Sequence, residues 1–166
     1  RKIVMGNKIN VALITRYEEV ADNFLSTVCE AGSNNINYND TEIVFNDIWN
    51  ESLEKEKVSE FIQNNDRVVL LVDSLEGVTP TVSNAIIEII KTNRVPILVI
   101  NNINEEDADP YMALQEIEHV LVMRDASDRQ LEAPLVYVDD AKKVALFDLE
   151  EESDNLNSLY ETIITM

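Results

Sequence analysis

Three short runs constrain this chain more than anything else in it. Asn10-Val-Ala-Leu-Ile-Thr15, Arg67-Val-Val-Leu-Leu-Val-Asp73 and Val95-Pro-Ile-Leu-Val-Ile-Asn101 are β-branched and apolar at nearly every position. A strand with one wet face alternates. A strand that is apolar throughout is covered on both faces, as in a parallel sheet between helix layers. Pro134-Leu-Val-Tyr-Val138 is a weaker fourth of the same kind. Between these runs lie segments with helical spacing: Glu18 to Glu30, Ser52 to Gln63, Val82 to Thr92, Pro110 to Val122 and Leu156 to Ile164. Ile36-Asn-Tyr38, Asn39-Asp40 and Thr41-Glu-Ile-Val-Phe45 read as a hairpin about an Asn-Asp turn. Strands are expected near 9–15, 35–39, 41–46, 67–73, 95–101 and 134–138. The alternation predicts an α/β three-layer sandwich, a mainly parallel sheet with one antiparallel edge hairpin. Ligands of such sheets bind beyond the carboxyl ends of the strands, which directs attention to the residues after Thr15, Phe45, Asp73, Ile100 and Val138.

Composition narrows the function. The 166 residues, 45% of them hydrophobic, suit one compact domain over 1–166. With 32 acidic against 13 basic side chains the formal net charge is -19, which argues against coating nucleic acid or docking on anionic lipid. No apolar run is long enough to span a membrane, and Arg1 to Asn7 is too short and polar for a secretory signal. A single cysteine, Cys29, excludes an internal disulfide and fits a cytoplasmic or other reducing compartment. His119 is the one histidine, so a multi-histidine metal site is excluded.

Several residues invite chemistry but read more simply as structure. Asp73 ends an apolar strand, His119 lies on a helix without a nucleophile at catalytic spacing, and Cys29 lies near the apolar stripe of the first helix. The run Asp148-Leu-Glu-Glu-Glu-Ser-Asp154 lacks the spacing of a calcium loop and reads as a solvated segment. Asp139-Asp140 followed by Lys142-Lys143 reads as a charged loop.

In this order the segments resemble the GTP-binding domain of translational GTPases of the TypA/BipA branch. Val69-Leu-Leu-Val-Asp-Ser-Leu-Glu-Gly77 is similar to the family's Leu-Leu-Val-Asp-Ala-Phe-Glu-Gly, and Pro96-Ile-Leu-Val-Ile-Asn101 to Pro-Ile-Val-Val-Ile-Asn. Ala126-Ser-Asp-Arg-Gln-Leu-Glu-Ala-Pro-Leu-Val-Tyr137 resembles the branch-specific Ala-Thr-Asp-Glu-Gln-Leu-Asp-Phe-Pro-Val-Val-Tyr, and Leu159-Tyr-Glu-Thr-Ile-Ile164 parallels the domain's last helix. The resemblance runs from about Lys8 to the end and implies a P-loop GTPase fold without the family's later domains.

The resemblance also implies roles that this chain fills with other residues. Val20 stands where a glycine wraps the phosphates, Ala21 where a lysine reaches them, and Asp22 where a hydroxyl ligates magnesium. Glu18, Glu19 and Asp22 put carboxylates at the helix N-terminus that a triphosphate would approach. The stretch Gly32 to Ile36 is too short for the first switch loop, and Asp47-Ile-Trp-Asn-Glu51 replaces Asp-Thr-Pro-Gly-His. In the base motif Asn101 is kept, while Asn104 replaces an aspartate that would accept two guanine N–H groups. These positions imply a catalytically inactive pseudo-GTPase with no bound cofactor and no metal. Its role would be that of a protein-interaction scaffold. The alternatives are a ribosome-associated translation or assembly factor and an atypical nucleotide-binding GTPase. Ile48 and Trp49 are the candidate partner-binding residues, although Trp49 could equally pack over the nucleotide pocket.

Overall fold

The computed structural model describes residues 7–16, 18–47 and 55–166. Chain order is β1 (Asn7–Ile14), α1 (Glu18–Val28), β2 (Asn35–Tyr38), β3 (Thr41–Asp47), α2 (Lys55–Gln63), β4 (Arg67–Asp73) and α3 (Pro80–Lys91). It continues with β5 (Ile97–Asn101), α4 (Pro110–Met123), α5 (Asp128–Leu131), β6 (Leu135–Asp139), β7 (Val144–Leu146) and α6 (Asn157–Thr165). The strands form one sheet in the order β2-β3-β1-β4-β5-β6-β7. The five central strands, β3 to β6 across the sheet, are mutually parallel. Their carboxyl ends therefore share one edge.

The doubly apolar runs are doubly buried, as their composition requires. Along β4, Val69 and Leu71 face one core while Val68, Leu70 and Val72 face the other. In β5 the split is Ile97 and Val99 against Leu98 and Ile100. The first core is closed by α1 through Ala21, Phe24 and Val28 and by α6 through Leu159, Tyr160 and Ile163. Phe24 meets Phe45 of β3 edge to face, with ring centroids 6.1 Å apart. The second core is closed by Ile62 of α2, Ile86 and Ile89 of α3, and Ile117 and Leu121 of α4. Burying each such side chain stabilises the fold by roughly 1.5–3 kcal/mol, which makes this pattern the main determinant of the layers.

Local sequence sets the ends of the helices. Thr79 accepts from Val82 N and Asp109 from Met112 N, each just before a proline at the first helical position. Asn93 (φ 59°) and Asp125 (φ 57°) take left-handed backbone just beyond the same two helices. The hairpin turn between β2 and β3 has positive φ at both Asn39 and Asp40, the twist that a two-residue turn needs.

Two elements differ from expectation. Of Asp139-Asp140 and Lys142-Lys143, read as a charged loop, Asp139 ends β6 and the other three lie in the turn of a second antiparallel edge hairpin in which β7 pairs with β6. β7 is only Val144-Ala-Leu146, too short between charges to show a strand pattern. The four-residue α5 is likewise too short to show a period; it is held by a capping box between Ser127 and Gln130. The expected helix start at Ser52, and with it Ile48, Trp49 and Glu51, lies outside the described residues.

Candidate functional site

At the shared strand edge, the ends of β4, β5 and β6 bring Asp73, Asn101, Asn102, Asn104, Asp139 and Asp140 together. Asn101 is buried to 1% exposure. Its backbone carbonyl accepts from Ser74 N (3.1 Å) and Ser74 Oγ (2.6 Å), and its Nδ2 donates to Asp140 Oδ2 at 3.2 Å. Asn102 donates through its backbone N to Asp140 Oδ1 (3.3 Å) and through Nδ2 to Asp73 Oδ1 (3.3 Å). Asn104 Nδ2 donates to Asp139 Oδ2 at 2.6 Å, and Lys142 N donates to Asp139 Oδ1. Burial pushes the Asp140 carboxyl above its ordinary value, and the Asp139 and Asp73 carboxylates add to the shift. Hydrogen bonds from Asn102 and Asn101 work against it by favouring the charged form.

Asn101 Oδ1 is buried and accepts no hydrogen bond from the described residues. It is an open acceptor on a carboxamide whose other end is committed. Asn104 can still accept through Oδ1, and one of its two Nδ2 N–H groups is committed to Asp139. The two base-motif positions are therefore brought together, through the β6 carboxylates rather than directly. Those carboxylates were not singled out as site residues. Their signal was positional, since Asp139 ends a doubly buried strand and is itself 3% exposed.

At the end of β1, Thr15 Oγ1 donates to Leu71 O in the core, and Arg16 pairs with Glu76 (2.6 Å). Val20, Ala21 and Asp22 sit at the start of α1. Ala21 is wholly buried in the first core, Val20 packs against that core, and Asp22, Glu18 and Glu19 are exposed. Tyr17 and the segment 48–54 lie outside the described residues. Residues 29–34 connect α1 directly to β2, tied by Glu30 N to Asn35 O and by Phe45 N to Asn34 O. His119 is exposed, and the thiol of the half-buried Cys29 is pushed up to about 12, chiefly by burial. After β4, Asp73 accepts from Leu75 N, and Gly77 at φ 67° lets Glu116 of α4 reach Val78 N.

The α/β sheet with its polar strand-end edge is the fold of a translation-factor G domain. The apo form of translation elongation factor SelB from Methanococcus maripaludis superposes with TM-score 0.67 at 14% identity, covering 98% of this chain and 35% of that one. The same factor in complex with the GTP analogue GppNHp gives 0.63 at 12% identity, again over 98% of this chain and 35% of that one. No family model matches the chain. The large ribosomal subunit assembly factor BipA of Bacillus subtilis is 33% identical over 129 residues, 78% of this chain and 21% of BipA. Its counterpart in Escherichia coli K12 is 29% identical over 99 residues, 60% of this chain and 16% of that protein. By sequence homology and fold, the chain corresponds to the GTP-binding domain of the TypA/BipA-type translational GTPases. It spans about a fifth of the length of these curated relatives.

This kinship corrects the expectation of a non-enzyme. The BipA and SelB proteins are translational GTPases, which are enzymes, and nothing among the described residues demonstrates inactivation. Side-chain identity at the phosphate-loop positions does not by itself decide phosphate binding. Helix-end backbone N–H groups also bind phosphate, and they survive side-chain replacement.

Proposed function

We propose that this chain serves in a ribosome-associated translation or assembly factor of the BipA kind, which carries a cytoplasmic location with it. The supporting observation is the 33% identity to a large ribosomal subunit assembly factor over 129 residues. The charge fits a route through ribosomal protein rather than through RNA. At -19 the domain has no excess of cations with which to neutralise phosphates. Among the described residues no helix is long and apolar enough to cross a membrane. Val20, Ala21, Asp22, Asn101 and Asn104 remain the positions at which nucleotide contact is to be examined. Ile48 and Trp49 remain candidate partner contacts.

Sedimentation of the purified chain with large ribosomal subunits through a sucrose gradient tests this reading. Co-migration that survives moderate salt is expected. A chain that stays at the top of the gradient under every condition contradicts it.

A further inference from the structure

We propose that the corner where α4 ends and α5 begins is a docking surface for a second copy of this chain. Such docking is independent of the ribosomal reading above. β5 and β6 are parallel, so α4 must run back across the sheet between them. Its carboxyl end therefore lies at the edge opposite Asn101 and Asp140, and a contact there leaves the strand-end site open. Val122 is 62% and Met123 64% exposed, more than any other large apolar side chain described, and Leu131 at the end of α5 is 46% exposed. These side chains stand on a fixed base. Ala126 N donates to Leu121 O at 2.9 Å, and the buried Gln130 ties α5 to Arg94 O. Docking on such a base requires little ordering of the backbone.

Charge chooses the occupant. Arg124 and Arg129 are interleaved with Asp125, Asp128 and Glu132, and all five are exposed. Neither guanidinium pairs with a carboxylate among the described residues. Two chains of net charge -19 repel each other at long range, so self-association needs a place where cations and carboxylates alternate. This corner supplies one. Under a two-fold axis the arginines of one copy face carboxylates of the other, while the apolar side chains meet at the centre. A partner of one sign would satisfy half of these charges and oppose the rest, which favours the chain's own copy. Exposed ion pairs contribute little, so the apolar centre carries the affinity and the charges set the register. A standard interface takes about 20–30 residues a side, more than this corner offers, so the dimer is weak and reversible.

Sedimentation equilibrium of the chain between about 10 µM and about 500 µM, in about 150 mM NaCl to screen the long-range repulsion, tests this. The weight-average mass is expected to rise from 18.9 kDa toward twice that value. V122S/M123S removes apolar surface at exposed positions and is expected to raise the dissociation constant at least tenfold. The exposed but remote pair Y111S/M112S, in the first turn of α4, is expected to change it less than twofold. Charge reversal tests the register. R124E/R129E and D128R/E132R should each stay monomeric alone and associate when mixed, with circular dichroism showing that both are folded. A wild type that stays at 18.9 kDa throughout overturns the proposal. Equal weakening by both apolar pairs would show unspecific adhesion and overturn it too, as would a charge-swapped mixture that stays monomeric. A monomeric wild type whose co-migration with large ribosomal subunits is lost in V122S/M123S would assign the surface to a ribosomal partner, and the second-copy reading would fall.

Discussion

Asp140 is held ionisable in a partly buried place beside two other carboxylates, and its elevated pKa has a defined consequence for stability. Below the ordinary value of 3.8 the group is protonated in folded and unfolded chains alike, and it contributes no slope. Between 3.8 and the raised folded value, the folded chain binds more protons, so stability falls as pH rises through that window. Asp140→Asn removes this fall. In urea unfolding from about pH 4 to about pH 7, the variant should gain stability relative to wild type as pH rises. Parallel curves for the two proteins would show that the buried carboxyl is not the source. Gly77 is a second residue-scale case. Its φ of 67° disfavours any side chain, and an added Cβ would overlap the Glu116 carboxylate that caps Val78 N. Gly77→Ala should cost about 1–3 kcal/mol, combining left-handed strain with a displaced hydrogen bond. A chemical denaturation midpoint unchanged from wild type would contradict this.

At the scale of elements, Gln130 joins parts that are far apart in sequence. Its Oε1 accepts from Ser127 N to complete the cap of α5, while Nε2 donates to Arg94 O (2.9 Å) and toward the last carbonyls of α3. Gln130 is 1% exposed, and Gln130→Ala removes the α5 cap acceptor and the donor to the part-buried Arg94 carbonyl, so it should destabilise by about 2–4 kcal/mol. Gln130→Glu keeps the acceptor but loses the donor, and should recover little of that loss in thermal unfolding. The elements themselves were legible where burial dictates composition. β4 and β5 showed as unbroken apolar runs because both faces are covered, and the β2–β3 turn showed as Asn-Asp because both residues need positive φ. β7 and α5 were not legible. Three residues carry no period, and α5 owes its existence to a cap and to tertiary bonds made by Gln130. The strand-end edge follows from the parallel sheet, and Asn101 and Asn104 lie on it. The partners of those asparagines, Asp140 and Asp139, were hidden because a charged pair in sequence looks like solvated loop until β6 is seen to bury one of them.

For the whole molecule, 32 acidic against 13 basic residues make self-repulsion a standing cost of the compact state. Raising NaCl from about 20 mM to about 200 mM should lift the melting temperature by roughly 2–5 °C through screening. A melting temperature that falls or stays flat over that range would show that local ion pairs outweigh the global field. The same charge bears on association. An acidic domain meets ribosomal RNA unfavourably and basic ribosomal protein favourably, so ribosome binding through protein should weaken as salt rises.

The most direct measurement is co-sedimentation of the chain with purified large ribosomal subunits at low and moderate salt. Stoichiometric co-migration that salt weakens gradually is expected. A chain that never leaves the top of the gradient, with subunits intact and the protein folded, would contradict it.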